Sequence, residues 1–380
     1  MEAIYLDHSA TTPVDKRVIK EMLPFFDEKY GNPSSIHLFG REVKTAIEEA
    51  REKIAEVINA EPSEIFFTSG GTESDNLAIT GTALSMKEKG DHIITSTAEH
   101  HAVLDTARFL QKNGFKVTYV PVNKYGIVEL EDIKEALTPR TILISIMHIN
   151  NEVGSINPIS EIGEFARENN VLFHTDAVQS FGKEPIDVKK DNIDLLSLSS
   201  HKIYGPKGAG ALYIKRGVSP EKIIHGGSQE GNRRGGTENV PGIIGLGKAA
   251  EICLEEMENE RKYLNKLRDY FWEKLQENIP DIYLNGHPKI RLPGILNVSF
   301  PGTDSETVLI SLDLKGIAAS GGSACTSGSI EPSHVLKAMG VSPEIAQSAI
   351  RFSLGRENNK EQIDYTVKNL KEIIDYIRKI

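Results

Sequence analysis

The stretch Ile193-Asp194-Leu195-Leu196-Ser197-Leu198-Ser199-Ser200-His201-Lys202 reads as an apolar, strand-like run that ends on a lysine. The turn signal Tyr204-Gly205-Pro206-Lys207-Gly208 follows, and glycine and proline are the residues that halt a strand. Just upstream, a second apolar run, Val171-Leu172-Phe173, leads into His174-Thr175-Asp176-Ala177-Val178-Gln179. If the two runs are neighbouring parallel strands, Asp176 and Lys202 emerge at the same edge of one sheet. An amine and a carboxylate so placed suit pyridoxal phosphate: the amine can form a Schiff base, and the carboxylate can keep the pyridine nitrogen protonated. The competing view is a lysine and an aspartate on unrelated strand ends.

Working outward, β-type runs alternate with amphipathic segments through the first two-thirds of the chain. Strands are predicted at 64–68, 91–96, 116–120, 141–147, 171–174, 194–197 and 210–214. Helices are predicted between them at 41–58, 74–89, 102–113, 130–137 and 159–169. That rhythm predicts an α/β fold with a mostly parallel, seven-stranded sheet covered by helices. A long helix is expected over 243–279. Beyond it the pattern suggests a smaller α+β unit, with strands near 294–300 and 316–319 and helices at 305–312, 333–339 and 360–380. The expected division is a large domain of residues 14–257 and a small one of residues 1–13 and 258–380. Active sites of open α/β sheets lie at the carboxyl ends of the strands, so the polar loops there should converge.

Composition narrows the class. The chain has 380 residues, 39% of them hydrophobic and 26% charged, as in a soluble globular protein. A formal net charge of −10 argues against a nucleic-acid binder that works by bulk electrostatics. The N-terminus lacks a basic start and a long apolar stretch, and no segment reaches the ~18 apolar residues of a membrane span. A cytoplasmic protein is expected, and its two cysteines, Cys253 and Cys325, are then expected to be free thiols.

Several short motifs carry chemistry. Ser69-Gly70-Gly71-Thr72-Glu73-Ser74 lies between a strand and a helix, where glycine backbone N–H groups and the helix dipole can hold one phosphate. It lacks the lysine of a nucleotide P-loop, and an ordinary capped turn would look the same. Ser199 and His201 flank Lys202 and can reach the same phosphate. Gln179 follows Asp176 by about one helical turn and can bond a cofactor hydroxyl. The imidazoles of Glu99-His100-His101 can stack on a flat ring or move protons. A metal site would need His100, His101, His174 and Asp176 as ligands. Adjacent histidines point to different sides of an extended chain, so no metal is expected. Ser320-Gly321-Gly322-Ser323-Ala324-Cys325-Thr326-Ser327-Gly328-Ser329 reads as an exposed thiol among small residues, suited to nucleophilic attack and to handing its cargo on. Cys253, within a helical pattern, reads as packing. Arg351, in Ile350-Arg351-Phe352-Ser353-Leu354, reads as a strand arginine whose planar fork can hold a carboxylate.

Together these residues resemble the NifS/IscS-like cysteine desulfurases, within the class V aminotransferase family of fold-type I pyridoxal phosphate enzymes. The resemblance runs from Tyr5-Leu6-Asp7-His8-Ser9-Ala10-Thr11-Thr12-Pro13 through the motifs above and Gly235-Gly236-Thr237 to Arg351-Phe352-Ser353. It implies that Lys202 bonds the cofactor, Asp176 pairs with the ring nitrogen, Gln179 bonds the ring hydroxyl and His100 stacks on the ring. Gly71, Thr72, Ser199 and His201 would hold the phosphate, with Thr237 reaching it from the partner of a homodimer. Asn151 and Arg351 would hold the carboxylate of L-cysteine. Cys325 would take its sulfur as a persulfide, leaving L-alanine. The sulfur would pass to acceptor proteins for iron–sulfur cluster assembly or tRNA thiolation, with Cys325 a ligand of a cluster during transfer. The family alternatives are an aminotransferase without sulfur chemistry and a selenocysteine lyase. The surroundings of Cys325 look like the long-loop branch, which favours the desulfurase.

Overall fold

The computed structural model describes residues 3–321 and 332–379. Cys325 lies outside the described residues. The large sheet has seven strands: β1 (Ile65–Thr68), β2 (His92–Ser96), β3 (Lys116–Val120), β4 (Thr141–Ser145), β5 (Leu172–Asp176), β6 (Leu195–Ser199) and β7 (Gly210–Ile214). Their spatial order is β1-β7-β6-β5-β4-β2-β3. Only β7 runs against the others. Every residue of β2, β4, β6 and β7 is buried, because helices cover both faces. The expected α/β architecture and strand count match.

Two details at the site differ from expectation. The lysine-ending run is not strand to its end: β6 stops at Ser199, and Ser200–Lys202 form a 3-10 turn. The ladder partner of Ser199 is Gly210, the first residue of β7, and the Ser200 N–H still donates to the Ala209 carbonyl at 3.0 Å before the chain turns away. Ile203 and Gly205 donate back to the Ser200 carbonyl and close the turn. Conversely, β5 continues past His174 to Asp176. Asp176 sits opposite Ser197 in parallel register, so Asp176, Ser199 and the Lys202 turn share one sheet edge.

The helix expected at 74–89 begins earlier, as Gly71–Asn76, and passes through a π turn, Leu77–Gly81, into Thr82–Ser85. The long helix spans Val240–Asn278, about 58 Å at 1.5 Å per residue. It starts three residues before the expected point because Asn239 caps it and its first turn accepts a proline. Its first half packs into the apolar core around the large sheet, through Ile243, Leu246 and Cys253. Its second half, through Leu264, Phe271 and Leu275, packs into a separate core with Ile4, Leu6, Phe300 and Phe352. That second core lies on an antiparallel sheet of Tyr283–Asn285, Ile295–Ser299 and Ala349–Ser353. Ile4–Tyr5 pairs in parallel with Ile317–Ala318, which brings the chain's beginning onto this unit. The strands at Ile4–Tyr5 and Tyr283–Asn285 and the helices Lys16–Met22 and Pro343–Gln347 were not expected from the sequence. Each is too short to show a periodic pattern.

Candidate active site

At the carboxyl edge of the large sheet lies a cavity of about 410 Å³. Gly71, Thr72, His100, Asn151, Asp176, Gln179, Ser199, His201, Lys202 and Arg351 all line it. Of the candidate residues described, only Thr237 does not. It is exposed, and it borders a pocket of about 60 Å³ shared with Ser69 and Gly208.

Lys202 is half-buried, and its Nζ donates to the carbonyls of Ser9 and Ala10, the latter at 2.9 Å. Gln179 Nε2 donates to the same Ser9 carbonyl at 2.9 Å. Thr12 Oγ1 donates to the His201 carbonyl at 2.9 Å and accepts from the Tyr204 N–H at 2.8 Å. The segment 9–12 therefore straps across the lysine turn and holds it against the cavity. This role is carried largely by backbone carbonyls, which leave no side-chain signature in a sequence. Asp75, Glu152 and His334 also line the cavity and were likewise not singled out. His334 Nε2 lies 2.9 Å from the Glu99 carbonyl, and its ring centroid is 4.7 Å from that of His101.

Asp176 is 5% exposed, and its Oδ1 accepts from the Val178 N–H at 2.9 Å. Burial pushes its carboxyl above the usual range, while His100 and Lys202 pull it back. A cationic ring nitrogen docked there would favour the carboxylate further. His100 caps the helix His101–Lys112, its Nδ1 accepting from the Ala102 N–H at 3.1 Å. Burial lowers its basicity, while the facing Asp176 pulls it back up. His201 is pulled down to about 4, first by burial and then by Lys202.

The residues present fit pyridoxal phosphate. Gln179 Oε1 is buried without a hydrogen-bond partner, an acceptor awaiting a donor such as a ring hydroxyl. Gly71 opens the helix against Val178, and a Cβ at this position would stand 2.5 Å from Val178 Cγ2. Only glycine lets the backbone N–H groups and the Val178 side chain border the same space. Past Gly71, Thr72, Ser199 and His201 the cavity borders a cleft of about 390 Å³ that is also lined by Ser69, Gly70 and Lys207. The residues that could hold the cofactor are thus Lys202 for its aldehyde, Asp176 and Gln179 for its ring, and the Gly71–Thr72 turn with Ser199 for its phosphate.

Arg351 lies on the strand Ala349–Ser353 and is 1% exposed. Its Nη1 donates to the Asn151 carbonyl at 3.0 Å, and its Nη2 pairs with Asp7 Oδ1 at 2.8 Å. It therefore joins the chain's beginning, the loop after β4 and the C-terminal sheet at one point of the cavity wall. Cys253 is buried, and burial pushes its thiol up to about 12, so it packs and does not react. Among the described residues no group of three or more His, Cys, Asp or Glu is arranged to hold a metal, and no helix is long and apolar enough to cross a membrane.

The profile of the class-V aminotransferase family matches residues 4–366. A cysteine desulfurase IscS of Dictyoglomus turgidum is 55% identical over 377 residues, covering 99% of this chain and 96% of the relative. Among solved structures, a NifS-like protein superposes with a TM-score of 0.93 at 43% identity, covering 98% of this chain and all of the other. A structure described as SspA in complex with cysteine superposes with a TM-score of 0.83 at 41% identity, covering 92% of this chain and 98% of the other. The chain belongs to the class-V aminotransferase family of pyridoxal phosphate enzymes and, within it, to the IscS/NifS-like cysteine desulfurases.

Proposed function

We propose that this chain takes the sulfur from L-cysteine onto Cys325, releases L-alanine, and passes the persulfide sulfur to acceptor proteins. The observation that supports this most is the convergence of Lys202, Asp176, Gln179 and Arg351 on one cavity, with an orphaned acceptor where a ring hydroxyl would sit. The SspA relative described with cysteine adds support for the substrate class.

When bound, pyridoxal phosphate supplies an aldehyde that bonds an amine and a ring that accepts electrons from the substrate's α-carbon. The chain's residues do the rest. Lys202 would hold the cofactor through its Nζ, and that amine, when free, would remove the proton from the substrate's α-carbon. Asp176 keeps a proton on the ring nitrogen. His100 covers the ring and excludes water from one face. Gly71, Thr72, Ser199 and His201 anchor the phosphate end. Arg351 and Asn151 take the substrate carboxylate and so orient its sulfur. The Cys325 thiolate attacks that sulfur: an S–S bond forms, the substrate's Cβ–S bond breaks, and the electron pair left on carbon takes up a proton to give alanine.

The working unit in this reading is a homodimer. Leu23, Phe26, Tyr30, Ile36, Leu38 and Phe39 are exposed along one N-terminal stretch, Ile36 by 91%. A second copy is the occupant such a surface suits. The phosphate-side cleft would then be completed by the partner's loop bearing Thr237. Residues 14–257 act as the cofactor-binding unit, and residues 1–13 and 258–380 as the unit that carries the Cys325 segment to it. The acceptors would be an iron–sulfur scaffold or a tRNA-thiolation protein, with Cys325 a cluster ligand during transfer, and the location is cytoplasmic.

The test is the Cys325→Ala variant loaded with pyridoxal phosphate. Alanine release from L-cysteine should collapse while the cofactor absorption band persists. Undiminished alanine release would favour a lyase or aminotransferase that does not use this thiol.

A further inference from the structure

Tyr204, two residues past Lys202, has a backbone φ of +62°, in the left-handed region. Seven described non-glycine residues lie there; four are asparagine and one is aspartate, which tolerate that conformation. A buried tyrosine, 6% exposed, does not belong to that group, and such a residue keeps the conformation only where its surroundings impose it. Here they do. The Tyr204 N–H donates to Thr12 Oγ1 at 2.8 Å, and its carbonyl accepts from the Asp15 N–H at 2.9 Å. Its hydroxyl accepts from the Arg356 N–H at 3.0 Å. The Arg356 guanidinium carbon lies over its ring, 3.8 Å from the centroid.

Arg356 is itself held. It follows the strand Ala349–Ser353 that bears Arg351, and the residue before it is seated on the N-terminal strap: a Cβ on Gly355 would stand 2.1 Å from His8 Nε2. Asn358 fixes the same loop, accepting from the Gly355 N–H at 2.8 Å and donating to the Tyr5 carbonyl at 3.1 Å. The two outer nitrogens of Arg356 reach different elements. Nη1 donates to Asp15 Oδ2 at 3.0 Å, and Nη2 donates to Glu260 Oε2 at 2.9 Å. Glu260 lies on the long helix between Cys253, in the core of the large sheet, and Leu264, in the second core. Arg17 pairs with Asp15 at 2.8 Å and with Glu256 at 2.6 Å, so each carboxylate of the cluster has a cation. These pairs are partly exposed and contribute little by themselves. A cluster that served only to join the two cores would need no contact with the lysine turn. Here the flat face of a guanidinium covers the Tyr204 ring, a stack that a lysine ammonium cannot reproduce.

We propose that Arg356 is a positioning residue for Lys202: stacked on Tyr204, it holds the lysine turn in its left-handed form and fixes Nζ relative to the Arg351 fork, five residues before it in the chain. One side chain then sets the reacting amine and the carboxylate site against each other. This rests on the cofactor reading above, in which those two groups act on one substrate.

The test compares the holoenzymes of wild type, Arg356→Lys and Arg356→Gln. Arg356→Lys keeps a positive charge beside Asp15 and Glu260, so it decides the outcome if Arg356→Gln fails to fold. Its kcat for alanine release, per bound cofactor, should fall about tenfold or more, with KM for L-cysteine within about threefold because Arg351 keeps its own partners. The pH midpoint of the visible absorption band reports the bond that Nζ makes, and it should move by about half a unit or more. A role in stability alone would lower the melting temperature and leave kcat per site and the midpoint at wild-type values; that result overturns the proposal. A second arm uses cofactor-free protein. Labelling of Lys202 by an amine-reactive reagent, followed by mass spectrometry, should be about threefold faster or more in Arg356→Lys than in wild type, because the turn opens more often. Equal labelling rates overturn the positioning role. If wild type forms no absorption band with pyridoxal phosphate, the cofactor reading fails, and faster labelling in the variant still supports the hold of Arg356 on the lysine turn.

Discussion

Replacing Arg351 by lysine separates charge from geometry at the place where substrate carboxylate recognition is assigned. The guanidinium holds the Asn151 carbonyl at 3.0 Å and the Asp7 carboxylate at 2.8 Å with two different nitrogens. A lysine ammonium keeps the charge, and with it the pairing to Asp7, but cannot span both partners and also present a planar fork to a carboxylate. The loss is about one charge-assisted hydrogen bond, roughly 1.5–3 kcal/mol. At 1.4 kcal/mol per decade, kcat/KM for L-cysteine should fall about 10- to 150-fold. Most of the loss should appear in KM, because the carboxylate is bound equally in ground and transition states. The assay is initial alanine release over a range of L-cysteine concentrations at matched cofactor occupancy, read from the absorption band. A kcat/KM within about threefold of wild type, or a loss confined to kcat, would refute carboxylate recognition by this fork.

Gly71→Ala should weaken pyridoxal phosphate binding by about tenfold or more, the value of one charge-assisted hydrogen bond, since its Cβ meets Val178 Cγ2 at 2.5 Å. Adding Val178→Ala should restore binding in an equilibrium titration; failure of that rescue means the glycine serves another purpose. Glu99 is buried and its carboxyl is pushed up to about 8. Between the ordinary carboxylate range and about pH 8 the unfolded chain has released a proton that the folded chain keeps, so rising pH favours unfolding through this group. The melting temperature of Glu99→Gln relative to wild type should therefore climb steadily from pH 5 to pH 8 in calorimetry, and a flat difference would show that Glu99 is already ionised.

The large sheet was legible because most of its strands are buried on both faces and read as continuous apolar runs, as Thr141–Ser145 and Leu195–Ser199 do. The site was legible where chemistry sits on side chains at strand ends, as with Asp176, or in glycine-marked turns, as with Gly71. Three kinds of feature were not. The carbonyls of Ser9 and Ala10 contact Lys202 across more than 190 residues, and any residue type could supply them. Asp75, within Thr72-Glu73-Ser74-Asp75-Asn76, looks like a solvated helix face until the sheet buries it. His334 acquires its place only through the tertiary contact with Glu99 and His101. The strand-like run was read through to Lys202, with the strand itself placed at 194–197, whereas it ends at Ser199; a 3-10 turn of Ser-His-Lys has no apolar period of its own.

In the proposed reaction Cys325 is the residue on which the sulfur chemistry turns. The most direct measurement is mass spectrometry of the peptide that contains it, after the holoenzyme has been incubated with L-cysteine and trapped with an alkylating agent. One added sulfur on Cys325, formed only with pyridoxal phosphate and in step with alanine, is the expected result. An unmodified Cys325 alongside continued alanine production would contradict the assignment.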